Sequence, residues 1–125
     1  MWIVDELTGD IRCRQGDSGR YRVDDLPTDK NYKLSFALQT KKRKPIGKEL
    51  TIDTAGNPTV VMDITPSTTD VLTVPSTQET EEYLFGFKIW DEDGFEDTLI
   101  LGNKSEDDLN IITVLPKIVE GGTNG

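Results

Sequence analysis

The chain has 125 residues, of which 34% are hydrophobic, and its 14 Lys and Arg against 23 Asp and Glu give a formal net charge of -9. Such an acidic surface repels phosphate backbones and anionic lipid headgroups, so neither nucleic acid nor membrane is an expected partner. The sequence also contains no histidine. It therefore lacks the commonest general base at neutral pH and the commonest metal-ligating side chain, and we expect no catalytic residues, metal or cofactor.

Cysteine usage and the N-terminal sequence indicate where the protein is made. Cys13 is the single cysteine, so an intrachain disulfide is impossible and no oxidising compartment is needed. Asp5 and Glu6 interrupt the apolar residues at the N-terminus, so we expect no signal peptide. Synthesis in a cytoplasm is the simplest interpretation.

Alternation of apolar and polar residues predicts strands along most of the chain. The predicted strands recur roughly every 8–12 residues, which is typical of a sandwich or barrel. Ile111–Leu115 is apolar on both faces apart from Thr113, which favours a central strand. The predicted strands are Trp2–Glu6, Ile11–Gln15, Tyr32–Gln39, Leu50–Asp53, Thr59–Ile64, Tyr83–Trp90, Phe95–Leu101 and Ile111–Leu115.

Turn signals separate these strands. Leu7–Asp10 and Ala55–Pro58 each join two of them, and Asp91–Gly94 ends in Asp-Gly, a strong hairpin signal. One segment favours a helix: Pro66–Leu72 begins with proline at the first helical position, Thr65 is its expected N-cap, and Asp70 favours the helix dipole. The sequence therefore predicts a short helical crossover between two sheets.

The predicted fold class is all-β: an immunoglobulin-like antiparallel β-sandwich of about seven to nine strands, with one short helical crossover near Pro66–Leu72. We expect a single domain over residues 1–120, followed by a flexible tail at residues 121–125.

Acidic residues cluster around Gly94 and suggest calcium binding as one interpretation. The EF-hand pattern fails, because Gly94 at the sixth position puts Ile89 first and Ile100 twelfth, where oxygen ligands are required. Solvated carboxylates at a turn are the expected arrangement. The residues concerned are Asp91, Glu92, Asp93, Glu96 and Asp97.

A basic run, Lys41, Lys42, Arg43 and Lys44, lies between two predicted strands. A phosphate-contact or nuclear-localisation patch is one interpretation, but no aromatic residues are interleaved with the charges. A hairpin tip kept soluble by its charge is the expected one. A third possibility is docking of this tip on an acidic partner or on a second copy of the chain.

Three aromatic residues, Trp2, Trp90 and Tyr83, offer a second class of function, because aromatic rings stack on sugars. The alternative interpretation is that they belong to the core or to an interface. Cys13 shares a strand face with Ile11, and we expect it to be a buried, unreactive thiol.

The order of elements resembles the N-terminal, tail-anchoring domain of upper baseplate proteins of tailed bacteriophages, an immunoglobulin-like family. The resemblance covers roughly residues 10–120. The segments that carry it are Gln15–Gly19 before a strand, the crossover at Thr65–Leu72, Glu82–Trp90 entering the acidic turn Asp91–Gly94, Thr98–Gly102, and a terminal strand through Ile118.

The resemblance implies a structural, non-enzymatic connector or accessory subunit of a phage tail or baseplate, located in the virion and made in the host bacterial cytoplasm. The expected partners are other tail or baseplate proteins and further copies of the chain as a homo-oligomer. The expected interface comprises the N-terminal strand and the basic run: Trp2, Ile3, Val4, Lys41, Lys42, Arg43 and Lys44. A carbohydrate- or surface-binding β-sandwich module is the alternative function.

Overall fold

The computed structural model describes residues 1–105 and 107–118. This part of the chain forms nine strands and one short helix. Within it, no helix is both long and apolar enough to cross a bilayer. The predicted domain boundary at residue 120 and the predicted tail lie outside the described residues. The elements are β1 (Ile3–Val4), β2 (Ile11–Arg14), β3 (Gly19–Val23), β4 (Lys33–Thr40), β5 (Pro45–Asp53), β6 (Val60–Ile64), α1 (Pro66–Thr69), β7 (Glu81–Trp90), β8 (Glu96–Thr98) and β9 (Asn110–Leu115).

The strands form two sheets of very different size. The larger sheet has the order β1-β2-β9-β7-β4-β5, with β8 also paired to β7, and the smaller sheet contains β3 and β6. All pairs are antiparallel except β2 and β9, which run parallel with Ile11 opposite Ile112. The predicted all-β sandwich with one short helical crossover is confirmed, with this one parallel pair inside it.

The longest strand, β7, lies at the centre of the hydrophobic core. Its alternate residues Tyr83, Phe85, Phe87 and Ile89 are buried, as the alternation predicted. The ring of Phe87 lies 4.9 Å from that of Tyr21 on the opposite sheet, measured between centroids. Burying each such side chain stabilises the fold by about 1.5–3 kcal/mol. These contacts hold the two sheets together.

The chain passes between the sheets four times: from β2 to β3, from β3 to β4, from β5 to β6 and from β6 to β7. The turn at Ala55–Pro58 leads from β5 in the larger sheet to β6 in the smaller one, and α1 leads back to β7. Helix α1 is a single turn, shorter than predicted, with Pro66 at its start. Thr65 occupies the N-cap position without a side-chain capping hydrogen bond, and Asp70 is the C-cap rather than a first-turn residue.

Strand β8 is much shorter than the predicted strand Phe95–Leu101. It pairs with Lys88–Trp90 of β7, while β9 pairs with Glu81–Phe85 on the same side of that strand. The two strands thus share one edge of β7, so β8 has little backbone left to pair with. Leu101 is buried in the core although it lies outside any strand.

Candidate interaction surfaces

Trp2 packs against its own sandwich. A Cβ added to Gly19 would lie 2.0 Å from Trp2 Cδ2, so the indole rests directly on the glycine. Trp2 Nε1 also donates a hydrogen bond of 3.0 Å to the carbonyl oxygen of Arg20. Because Gly19 and Arg20 belong to β3, Trp2 links the edge of the larger sheet to the smaller sheet.

The other two residues of the predicted N-terminal interface face opposite ways. Val4 is half-buried and lies opposite the core residue Ile11. Ile3 lies opposite Arg12 and remains 50% exposed. Of the three predicted residues, Ile3 therefore has its side chain most available to a partner.

The basic run forms the turn between β4 and β5, at the tip of the hairpin that the sequence predicted. We call residues Lys41–Lys44 the basic tip. All four are exposed, and Arg43 has a left-handed backbone with φ of 64°. Thr40 N donates to the Lys44 carbonyl at 2.9 Å, and Arg43 N donates to the Thr40 carbonyl at 2.8 Å. These hydrogen bonds fix the shape of the basic tip.

The charges of the basic tip are mostly uncompensated. Lys41 Nζ lies 3.2 Å from Glu81 Oε1. Within the described part of the chain, Lys42, Arg43 and Lys44 have no acidic group within ion-pair distance. The basic tip is thus a fixed turn with at least three free positive charges.

The acidic turn, defined as Asp91–Asp97, is organised by Asp91. Its Oδ2 lies 2.6 Å from Lys30 Nζ, and its Oδ1 accepts hydrogen bonds of 2.9 Å from the N–H groups of Asp93 and Phe95. The hydrogen bond from Lys30 has the largest effect on the pKa of the Asp91 carboxyl and lowers it; desolvation opposes this, and the N–H groups of Phe95 and Asp93 lower the pKa further. The hydrogen bonds and ion pair of Asp91 therefore stabilise the turn itself.

The remaining carboxylates of the acidic turn point into solvent. Glu92, Asp93, Glu96 and Asp97 are exposed, and Glu96 pairs with Lys88 at 2.8 Å. Across residues 1–105 and 107–118, no three His, Cys, Asp or Glu side chains are grouped to hold a metal ion. The acidic turn is a negatively charged surface that matches the predicted solvated turn.

Cys13 lies on the inner face of β2 with Ile11, as predicted, and is fully buried. Burial raises the pKa of its thiol to about 11, and the negative charge of Asp17 adds to the effect. The nucleophilic thiolate is therefore scarce at neutral pH.

Only one of the three predicted sugar-stacking aromatics has its ring on the outer face of the larger sheet. Tyr83 is buried and donates its hydroxyl hydrogen to the Thr73 carbonyl, and Trp2 covers Gly19. Trp90 is half-buried beside Lys33 of β4, and its Nε1 donates to Ser35 Oγ at 2.9 Å. A depression of about 260 Å³ beside Trp90 is also lined by Glu49, Lys88 and Glu96.

A groove on the outer face of the larger sheet was not anticipated from the sequence. It has a volume of about 270 Å³ and crosses Ala37 and Gly86, which lie opposite each other in β4 and β7. Leu84, Thr98 and Leu109 also line it. The groove opens where β8 and β9 diverge along β7. The small residues Ala37 and Gly86 at outward-facing positions could have indicated this groove. The sequence alone does not show that they lie side by side, because that requires the strand register.

No protein-family model and no curated protein sequence matches this chain.

Proposed function

We propose that the chain is a structural, non-enzymatic subunit of a bacteriophage tail or baseplate, acting as a connector or accessory subunit through protein–protein contacts. The β-sandwich and the order of its elements support this proposal. Gln15–Gly19 runs into β3, the crossover α1 follows β6, and β7 runs into an Asp-Gly turn. This is the arrangement that suggested the immunoglobulin-like baseplate family.

The basic tip is the observation that carries the proposal. A turn held by backbone hydrogen bonds, with three free cations on a chain of net charge -9, is suited to contact an acidic protein surface. Its shape is fixed before contact, so binding would order few backbone torsions.

The edge of the larger sheet beside the basic tip is poorly suited to strand addition, which favours contact through the turn. Strand β5 begins at Pro45, which has no N–H to donate, and Gly47 is left-handed with φ of 69°. The pairing of β4 with β5 shifts register between Phe36 and Leu38. Proline, a bulge and the exposed Lys48 are features that protect an edge strand from pairing with another chain.

The test is to look for the chain in particles. Phage particles would be induced from a strain that carries the gene and purified by density gradient. Their proteins would be quantified by mass spectrometry, and the chain would be located by immunogold electron microscopy. We expect the chain at a fixed ratio to tail proteins, with label at the tail. Particles that contain tail proteins but lack this chain would refute the proposal.

Charge variants test whether the basic tip mediates incorporation. In a strain lacking the native gene, Lys42→Glu/Lys44→Glu should lower the amount of chain per particle. The control Arg12→Glu/Arg22→Glu makes the same change in net charge on other strands and should leave the amount unchanged. Equal incorporation of both variants would exclude the basic tip as the contact.

Trp90 favours a second candidate, a carbohydrate-binding module. Its ring lies beside Glu49, Lys88 and Glu96 in a shallow depression, and an aromatic ring with nearby carboxylates can stack on a sugar and accept hydrogen bonds from its hydroxyls. Glycan-array binding that is lost in Trp90→Ala and kept in the control Ile100→Ala would support this function. Absence of glycan binding by the folded native chain would exclude it.

A further inference from the structure

We propose that copies of the chain associate head to tail, with the basic tip of one copy contacting the acidic turn of the next. This inference deepens the proposed function, on which it rests, by naming a second copy of the chain as a partner. It follows from where the two charged turns lie on one pair of strands and from which of their charges remain free.

The two turns lie at opposite ends of the pair formed by β4 and β7. The register runs from Lys33 opposite Trp90 to Thr40 opposite Tyr83. The basic tip directly follows Thr40, and the acidic turn directly follows Trp90. Seven residue steps at about 3.4 Å place the two ends roughly 24 Å apart. The turns of one copy therefore cannot reach each other, whereas those of two copies can meet.

The free charges of the two turns are complementary in number and sign. Lys42, Arg43 and Lys44 have no ion-pair partner in the described part of the chain, and the same holds there for Glu92 and Asp97. Asp93 is also largely free, because its side chain is 89% exposed and its carboxylate is 3.6 Å from Lys30 Nζ. Single exposed pairs are weak, so an interface needs several of them acting together.

Both turns are held in shape within each copy. The Thr40 hydroxyl accepts a hydrogen bond from Lys44 N at 3.2 Å, in addition to the backbone hydrogen bonds across the basic tip. Asp91 accepts two backbone N–H groups inside the acidic turn, and Asp91 N donates to the Phe95 carbonyl at 3.0 Å. Preformed turns lose little backbone entropy on association, which strengthens the contact.

Screening allows a chain of net charge -9 to attract its own copies. At 0.15 M ionic strength the Debye length is about 8 Å, well below the roughly 24 Å between the turns. An approaching acidic turn is therefore affected mainly by the nearby basic tip. At 0.01 M the Debye length is about 30 Å, and repulsion between whole chains acts as well. We expect association to be strongest near 0.1–0.15 M salt and to weaken toward both about 0.01 M and about 1 M.

A contact between two different surfaces leaves each copy with one free turn. Such heterologous contacts close into a ring if the rotation between copies permits, and otherwise extend into a filament. Assemblies larger than a dimer are therefore expected at high concentration.

The experiment is sedimentation velocity of the untagged full chain and of two charge-reversed variants, Lys42→Glu/Lys44→Glu and Glu92→Lys/Asp97→Lys. Each variant alone should associate at least about tenfold more weakly than the native chain, because two of the three free charges on one side of the contact are then reversed. An equimolar mixture should recover association, since the first variant keeps the native acidic turn and the second keeps the native basic tip. The control Arg12→Glu/Arg22→Glu should associate like the native chain.

Three results would overturn the inference: a native chain that stays monomeric up to its solubility limit, unchanged association in both reversed variants, or no recovery in the mixture. Circular dichroism of each variant checks that it is folded. A monomeric chain that is nevertheless present in purified particles would refute head-to-tail association and leave the proposed function standing. A self-associating chain that is absent from particles would refute the proposed function alone.

Discussion

Replacing Gly19 with alanine tests whether Trp2 joins the two sheets. The added methyl group would lie 2.0 Å from Trp2 Cδ2, a distance that no contact between unbonded carbons allows. The backbone of Gly19 is in a conformation that any residue can adopt, so we expect the indole to move while β3 keeps its place. The loss in free energy of unfolding caused by Gly19→Ala should then be no larger than the stability that the contacts of Trp2 provide.

The contribution of Trp2 can be estimated from its contacts. Covering about 100 Å² of a half-buried indole is worth about 2.5 kcal/mol at 25 cal/mol per Å². The hydrogen bond from Nε1 to the Arg20 carbonyl adds about 0.5–1.5 kcal/mol. Alanine is better than glycine within a strand by roughly 0.5 kcal/mol, which offsets part of the loss. We expect Gly19→Ala to lower the free energy of unfolding by about 2.5–3.5 kcal/mol.

Urea unfolding followed by circular dichroism measures this loss, and the midpoint should fall by roughly 1 M or more. The same substitution in a Trp2→Ala background should be nearly neutral, because the clash is gone. Gly86→Ala is the matched control, since a Cβ there has no atom within 4 Å. That variant should be as stable as the native chain or slightly more so.

A loss below about 0.5 kcal/mol for Gly19→Ala would refute the reasoning, because the error of such comparisons is of that order. An equal loss in the native and Trp2→Ala backgrounds would also refute it, since the two residues would then act independently.

Three further predictions concern buried groups and pH. Tyr21→Phe removes the hydroxyl that donates to the Gly9 carbonyl at 2.7 Å and should cost about 1 kcal/mol in urea unfolding. Cys13, with a thiol pKa of about 11, should react with a thiol reagent at pH 8 only after the chain is unfolded by guanidinium. The pKa of Asp91 is lowered, chiefly by Lys30, so its contribution to stability is present above about pH 4 and is lost as pH falls through the lowered value. Asp91→Asn should therefore flatten the acid side of the stability profile measured by unfolding at several pH values.

Each of these expectations has a result that contradicts it. The prediction for Tyr21→Phe is contradicted if the variant is as stable as the native chain. The prediction for Cys13 is contradicted if the thiol reagent labels the folded chain rapidly. For Asp91→Asn the contradicting result is an acid profile that coincides with that of the native chain.

The fold class followed from the sequence because burial imposes a period of two on each strand. In β7 the buried side chains are those that the alternation selected, and β9 pairs on both sides as its apolar faces indicated. In β4 the alternation selected Leu34, Phe36 and Leu38 correctly, but Ser35 on the other face is buried as well. Strand partners were not predictable, because pairing depends on contacts far apart in sequence. The parallel pair Ile11 and Ile112 is one example, and the shortening of β8 by competition with β9 is another.

The two charged turns could be predicted from the sequence, whereas the packing of Trp2 on Gly19 could not. A basic run between two apolar strands is local information, and so is an Asp-Gly turn after Trp90. Trp2 and Gly19 lie seventeen positions apart, and only their contact reveals why the second position is glycine. Glycine at a strand often marks a close approach of another group, but that signal does not identify the group.

The protection of the sheet edges bears on how this sandwich can assemble. The hydrogen bond from Trp2 Nε1 occupies the carbonyl of Arg20 on β3. Pro45 and the left-handed Gly47 interrupt β5 at the far edge of the other sheet. Adding a strand at either place would first require these features to rearrange, which costs free energy before any new hydrogen bond forms. The charged turns need no such rearrangement, because they are already exposed and fixed. At these two edges, the proposed contact through the charged turns is therefore favoured over strand addition.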